Sequence, residues 1–458
     1  MPTPTPRRTC LLSVRPSRRA TRLLLLAGAT WLTGGATTLA QTAPTPTPQS
    51  SPNVQSGSVP STSPASPAPA SPAPASPAPA APSPWASTIT WGLQFDGGIQ
   101  GNGDRPGDGL NFGRLFDDKA NTPLLNQIQA TLTRPINSSA TGYDVGFTLQ
   151  GDFGTDVRYL HYLGEFDNQT SRYQATLLQA NVLLHAPWLT SGGIDFKLGQ
   201  FVTPIGYETI DPSTNPFYSH SYIFNFGPFQ HTGLLGEWHV NPTLDIYLQA
   251  DTGESTTFGG GDNNGEPAGL VGFGLNNLAG GKLTVLVLSH LGPENSVYTD
   301  PNANSDMRYE NDAVLTYKAT SKLTLVTELN WQHDDYGGGV NNYGGAQYIE
   351  YQLTPALAVN GRAEIYRDDN GFFVFAYPGN MDAIRALNGQ PNTSFNYGPA
   401  TYSEFTAGFT YKPTIPKLAL FMVRPEIRWD KSFSGTRAYD GGTQTGNFTF
   451  GGDIVIGF

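Results

Sequence analysis

Polar and apolar residues alternate along this chain with a period of two, most cleanly in its last twelve residues, Asn447 to Phe458. Phe448, Phe450, Ile454, Ile456 and Phe458 share one parity, and Thr449, Gly451, Asp453 and Gly457 share the other. Val455 is the one large apolar residue on the polar parity. Successive side chains of a strand point to opposite faces, so this segment has one greasy face and one polar face. A soluble sheet can bury such a face, whereas a membrane barrel requires one on every strand. The pattern recurs upstream. Ile89, Trp91, Leu93 and Phe95 alternate with Thr90, Gln94 and Asp96, and Tyr143, Val145, Phe147 and Leu149 alternate with Asp144, Thr148 and Gln150. Leu323, Leu325, Leu329 and Trp331 oppose Thr324, Glu328, Asn330 and Gln332.

Sixteen such segments can be placed, near residues 88–100, 124–134, 142–153, 174–186, 194–202, 231–240, 243–252 and 268–276, then 282–291, 307–318, 322–332, 346–353, 356–367, 401–411, 420–430 and 447–458. Most have the roughly 9–11 residues that cross a bilayer when tilted. Blurred stretches such as 270–275 leave about 14 to 18 strands open, and sixteen is even, as single-chain bacterial barrels require. Connections after even-numbered segments are short, as at Asn241-Pro242 and Thr354-Pro355, and those after odd ones are long, as at 203–230 and 368–400. Alternation through every connection is what short periplasmic turns and long external loops produce. Aromatics of the greasy parity fall at two levels, with Phe153, Tyr309, Trp331 and Trp429 at one and Tyr143, Trp238, Tyr317, Tyr411 and Phe458 at the other. Interfacial girdles have that arrangement. The expected fold is all-β, a transmembrane antiparallel up-and-down β-barrel of sixteen strands over residues 85–458.

Composition bounds the alternatives. Only 14% of residues are charged, and 53 Gly and 21 Tyr suit strands and turns better than helices. The sole cysteine is Cys10, so no intramolecular disulfide or cysteine metal site can form. Six of the 26 bases and none of the 37 acids lie in the first forty residues. The remainder is therefore strongly acidic, which argues against a nucleic-acid partner. Arg18, Arg19 and Arg22 precede an apolar run from Leu23 and a small-residue site at Thr38-Leu39-Ala40, so residues 1–40 read as a cleaved signal peptide. Residues 41–84 are rich in Pro, Ala and Ser with a repeated Ala-Ser-Pro-Ala-Pro unit, an extended disordered periplasmic linker. An inert spacer is its simpler reading, and contact with peptidoglycan is the alternative.

The polar parity carries most of the strand charge and is expected to line the lumen. Its acids include Asp96, Asp144, Glu237, Asp245, Glu310, Asp312, Glu328, Glu364, Glu404 and Glu426. Its bases include Lys197, Arg308, Arg362, Arg424 and Arg428. A base facing lipid at mid-depth would cost about 2–4 kcal/mol, a penalty that an inward, hydrated one avoids. The 203–230 loop is unusually aromatic for a solvated loop. Tyr207, Glu208, Phe217, Tyr218, His220 and Phe224 are candidates for a constriction made by folding inward. Pro425 has lipid-facing parity and removes one ladder hydrogen bond, so a bulge or break is expected there.

Two sets of residues also carry a family resemblance. Gly199-Gln200-Phe201, Pro204, Gly206-Tyr207-Glu208, Asn215-Pro216-Phe217-Tyr218-Ser219 and His231-Thr232-Gly233 form the first. The second is Arg424-Pro425-Glu426-Ile427-Arg428-Trp429-Asp430. Together they resemble the signature of the putative β-barrel porins of the OmpL-like type, the second with Ile and Trp where that family has Leu and Tyr. The resemblance covers roughly 88–458 and implies a bacterial outer-membrane channel embedded in lipid and lipopolysaccharide. It also implies that Phe458 matches the C-terminal aromatic signal read by the barrel-assembly machinery. Porins of this size are often trimers, but the strands identify no subunit interface, so a homotrimer stays open.

Catalytic and metal signals are weak. His220 lies between Ser219 and Ser221, but adjacent residues on an extended chain point apart, against a nucleophile–base pair. His161, His185, His231, His239, His290 and His333 show no ligand spacing. Asp300-Pro-Asn302-Ala-Asn304-Ser-Asp306 begins like a calcium loop, yet Ser305 and Asn311 stand where its Gly and Glu belong. The expected protein is therefore a non-enzymatic porin without cofactor or metal, passing small hydrophilic solutes or ions passively with a mild cation preference. A structural or adhesive barrel with binding loops is the alternative, and an outer-membrane hydrolase the third reading.

Overall fold

The two-residue period is realised as a closed antiparallel barrel. A computed structural model describes residues 85–433 and 435–458; the expected signal peptide and linker lie outside the described residues. The strands begin with β1 (Thr90–Asn102), β2 (Pro123–Arg134), β3 (Asp144–Gly154) and β4 (Gln174–Ala186). Next come β5 (Ile194–Val202), β6 (Gln230–Asn241), β7 (Leu244–Glu254) and β8 (Ala268–Asn277). They are followed by β9 (Leu283–Pro293), β10 (Met307–Lys318), β11 (Leu323–Asp334) and β12 (Val340–Thr354). The last four are β13 (Leu357–Asp368), β14 (Ala400–Tyr411), β15 (Leu420–Ser432) and β16 (Gly446–Gly457). Each pairs with its neighbours in the chain, and β1 closes the ring on β16, with Gln94 opposite Gly457 and Asn102 opposite Thr449. Closure leaves no free sheet edge and gives the backbone polar groups partners within the wall.

The greasy parity faces outward. Trp91, Leu248, Leu329, Ile365, Phe405 and Phe450 are all exposed, while Asp96, Glu328, Arg362, Glu404, Arg428 and Asp453 of the opposite parity are buried inside. That is the inverse of a soluble sandwich and the pattern that lipid selects. Phe153, Trp331 and Trp429 are exposed towards the long-loop rim, and Tyr143, Tyr317, Tyr411 and Phe458 towards the short-turn rim.

One boundary reading needs correction. β12 begins at Val340, not near 346, because Asn341 to Gly345 pair with His333 to Leu329 of β11. Its Asn-Asn-Tyr-Gly-Gly composition favours a loop, but ladder partners on neighbouring strands override local propensity. Gly344 is also required by packing, since a Cβ there would come within 2.6 Å of Ile223 Cγ1. The β11–β12 link is thereby reduced to residues 335–339, still longer than the flanking links 319–322 and 355–356, so the alternation persists there with a small margin. At Pro425 a break appears without a bulge. The β14–β15 ladder pairs Gly408 with Glu426 and resumes at Tyr411 with Val423 in the same register.

Phe458 sits on the closing seam. Its N–H donates to Leu93 O at 2.9 Å, its carbonyl accepts from Leu93 N at 3.4 Å, and its ring meets Phe95 edge-on at 6.0 Å. Deleting Phe458 is expected to cut several-fold the fraction that migrates as a compact barrel on unheated SDS gels, while barrels that do form keep wild-type conductance. Assembly at the wild-type level would show that the seam does not need this residue.

Candidate functional site

Residues 203–229 connect β5 to β6, and the chain turns inward there. The neck is tied by Thr203 N donating to Phe229 O at 2.9 Å. Beyond it, backbone groups that a solvated loop would offer to water are met by side chains of the barrel wall. β13 and β15 place a charge on the inward face at every second residue: Arg362 and Glu364 on one, Arg424, Glu426, Arg428 and Asp430 on the other. An extended backbone alternates carbonyl and N–H groups with a similar repeat, so the wall presents matching donors and acceptors.

The contacts follow that logic. Arg424 Nη1 donates to Asn215 O at 2.9 Å, and Asn360 Nδ2 to Pro216 O at 3.1 Å. Glu426 accepts from Tyr218 N at 3.0 Å and from Ser219 N at 3.2 Å. Arg362 Nη1 donates to Ser219 O at 2.8 Å, and Arg428 Nη1 to His220 O at 2.5 Å. Glu364 accepts from Tyr222 N at 2.7 Å and Ile223 N at 2.9 Å, and Glu328 of β11 accepts from Tyr207 N at 2.8 Å. Loop residues 207–223 therefore lie against inward-facing side chains of the wall, and the motif at 424–430 meets the loop's backbone.

Glu208 is the loop's own ionic partner for this wall. It accepts from Arg362 Nη1 at 2.5 Å, from Ser221 N at 2.8 Å and from Ser221 Oγ at 3.1 Å, and lies 3.2 Å from His220 Nδ1. Burial works to raise its pKa, but the Arg362 charge and these hydrogen bonds outweigh it and hold the carboxyl at about 2. The loop's aromatic rings fill the remaining space. Phe217 lies under the Arg362 guanidinium at 5.2 Å, His220 stacks on Phe224 at 3.9 Å, and Tyr218 Oη donates to Asn126 Oδ1 at 3.1 Å.

Of the sequence-derived lumen set, Glu328, Arg362, Glu364, Arg424, Glu426 and Arg428 converge on the loop, with Glu404 held to Arg362 Nε at 2.5 Å. The others work elsewhere. Asp144 pairs with Arg134 at 2.8 Å near the short-turn rim, and Arg308 pairs with Asp334 at 2.8 Å and Glu254 at 3.2 Å near the other. Glu237 accepts from Tyr247 Oη at 2.8 Å, Asp245 lies 2.8 Å from His239 Nδ1, and Lys197 sits 5.7 Å from the Phe201 ring. Asp96 is buried on β1. Glu310 and Asp312 border a cavity of about 70 Å³ beside Gly206, Gly227 and Glu328.

Sequence reasoning missed a second inward segment at 110–117. Arg114 reaches Asp430 at 2.6 Å, and Phe116 packs edge-on against His220 at 5.2 Å. The signal was available in Leu110, Phe112, Leu115 and Phe116, a density of apolar residues like that of the 203–230 loop. Groups distant in sequence also converge. His239 lies between Asp245 and Asp195, which occupy both ring nitrogens at 2.8 and 3.3 Å. His231, Asp251 and His290 meet near the long-loop rim.

The two hydroxyls beside His220 are engaged elsewhere. Ser219 Oγ accepts from Arg362 Nη2 at 3.3 Å and Ser221 Oγ donates to Glu208, so both flanking hydroxyls serve the anchor and not the His220 ring. In the 300–306 stretch, Asp300 Oδ1 caps its own turn by accepting from Asn302 N at 2.9 Å, and Asn304 Nδ2 donates to Asn264 O at 2.7 Å.

Residues 88–458 match the family model described as "Putative beta-barrel porin-2, OmpL-like". Among solved structures, OprB of Pseudomonas putida at high pH is 13% identical with a TM-score of 0.51, over 81% of this chain and 95% of its own. The outer membrane channel DcaP of Acinetobacter baumannii is 14% identical with a TM-score of 0.49, over 81% and 97%. An anion-selective porin from Comamonas acidovorans is 13% identical with a TM-score of 0.48, over 81% and 98%. At these identities the likeness is one of fold. No curated protein matches the sequence.

Glu426→Ala would strand the Tyr218 and Ser219 N–H groups, at about 1–3 kcal/mol for each buried donor left unpaired. The expected result is a lower melting temperature and new protease cleavage within 203–229; an unchanged digest would refute the anchoring role. The low pKa of Glu208 sets a second expectation. Because its folded value lies below the ordinary 4.5, its stabilising contribution is complete above that value and is lost as pH falls through about 2. Pepsin should leave the loop intact near pH 4 and cut it only as pH approaches 2.

Proposed function

Because the chain belongs to the OmpL-like beta-barrel porin-2 family of outer-membrane channels, we propose that it passes small hydrophilic solutes and ions passively, narrowed where residues 203–229 cross the lumen. The observation that carries this reading is the asymmetry of the wall around the loop. On the β13–β15 side, Arg362, Arg424 and Arg428 balance their acids and are consumed by the anchor. On the β10–β11 side, Glu310, Asp312 and Glu328 face the cavity beside the loop, and among the described residues no base pairs with them within 4 Å. Paired charges cancel locally, whereas an unbalanced acidic strip beside a passage favours cations. The acid excess read from the sequence therefore narrows to this strip as the source of a mild cation preference.

The deep burial of Arg428, Glu404 and Asp453 favours a second reading, a plugged structural or adhesive barrel. Planar-bilayer recording separates the two. Stepwise currents with a cation-biased reversal potential in a KCl gradient are expected, and the triple variant Glu310→Gln, Asp312→Asn, Glu328→Gln should move that potential towards zero. A folded protein that never gives steps would sink the channel reading.

A further inference from the structure

His231 of β6, Asp251 of β7 and His290 of β9 are separated in sequence by whole strands, yet their ligand atoms all lie within 4.8 Å of one another. They meet by reaching across β8, where Ala268 is paired with Asp251 and leaves room above it. All three are buried. Asp251 Oδ1 lies 3.2 Å from His290 Nε2 and 3.8 Å from His231 Nδ1, and the two imidazole rings are 4.7 Å apart. A tetrahedral ion with bonds of about 2.0–2.1 Å separates its ligand atoms by roughly 3.4 Å, and both imidazole distances to Asp251 bracket that spacing.

Two further observations point to an ion and not to a simple ion pair. His231 Nδ1 is buried with no hydrogen-bond partner, and it is the nitrogen aimed at Asp251. The outward nitrogen of each ring is directed to an orienting group: His231 Nε2 to Thr203 Oγ1 at 3.1 Å, and His290 Nδ1 towards Glu294 Oε1 at 3.7 Å. Metal-bound histidines characteristically hold their second nitrogen in this way. The carboxylate is oriented too, with Asp251 Oδ1 accepting from Gly253 N at 2.8 Å and Oδ2 from Gln249 Nε2 at 2.6 Å.

We propose that His231 Nδ1, His290 Nε2 and Asp251 form a binding site for a late first-row divalent cation, Zn²⁺ by the match of two imidazoles and one carboxylate. Three protein ligands leave one tetrahedral position for water. The site borders the neck of the folded-in loop, because Thr203, which orients His231, also bonds to Phe229 across that neck. Bound Zn²⁺ then ties β6, β7 and β9 together where the loop leaves the wall. The proposal is independent of what the channel passes.

The test uses the full-length protein in detergent, stripped with chelator and dialysed against zinc chloride. About one Zn²⁺ per chain is expected, with affinity weakened by roughly tenfold or more in His231→Gln and in His290→Gln. His333→Gln, outside the cluster, should bind as wild type. Absence of stoichiometric zinc, or equal binding by all variants, would overturn the site. Should a variant fail to give a compact barrel on unheated gels, Co²⁺ added to the unaltered protein decides: a tetrahedral visible absorption band supports the site, and its absence refutes it.

Discussion

The structure depends on one match, between the two-residue repeat of a strand and the alternating carbonyl and N–H groups of an extended chain. Arg424, Glu426 and Arg428 point inward at successive even steps of β15, and the backbone from Asn215 to His220 lies against them as if against another strand. Side chains take the part that a neighbouring backbone plays in a sheet. Burying charges carries a large desolvation penalty, and a buried ion pair alone is weak evidence for stability. Here each charge has a second duty, since it satisfies a backbone group that would otherwise be orphaned inside the barrel. The aromatic packing of Phe217, His220 and Phe224 follows from that fixed path.

This arrangement divides the lumen by electrical character. The β13–β15 wall is rich in arginine and nearly balanced, because its charges answer each other and the loop. The β10–β11 wall carries Glu310, Asp312 and Glu328 and meets the loop chiefly at Gly206, Tyr207 and Gly227. Total charge therefore says little about the passage. On the proposed reading, what bears on cation preference is which acids lie beside the loop without a base.

Much of the fold was legible because a lipid-facing barrel imposes its pattern on every strand. β4, β5 and β10 fall at the residues the alternation indicates. The start of β12 was illegible for the opposite reason: Asn341 to Gly345 have loop composition, and only the partners supplied by β11 and β13 make them a strand. At the site, parity identified which charges point inward but not what they meet. That Arg428 answers the carbonyl of His220, or that Arg114 comes to Asp430, depends on tertiary folding across more than 200 residues of chain. The grouping of His231, Asp251 and His290 was hidden likewise, since a sheet brings together residues that no local spacing connects.

The positions of the anchors along the chain carry a consequence in time. Glu328, Asn360, Arg362, Glu364, Arg424, Glu426 and Arg428 all follow residues 203–229 in the sequence. A nascent barrel that has reached β6 thus holds an aromatic segment with its β2 partners already in place, Gln127 on the carbonyl of Ile210 and Asn126 on Tyr218. Its charged anchors come in from β11 onward, the last of them with β15, immediately before β16 meets β1. Closure of the ring and completion of the loop's anchorage are thereby nearly simultaneous, and any chain that stops short of β15 leaves the backbone of 215–220 without its Arg424, Glu426 and Arg428 partners beside two open sheet edges.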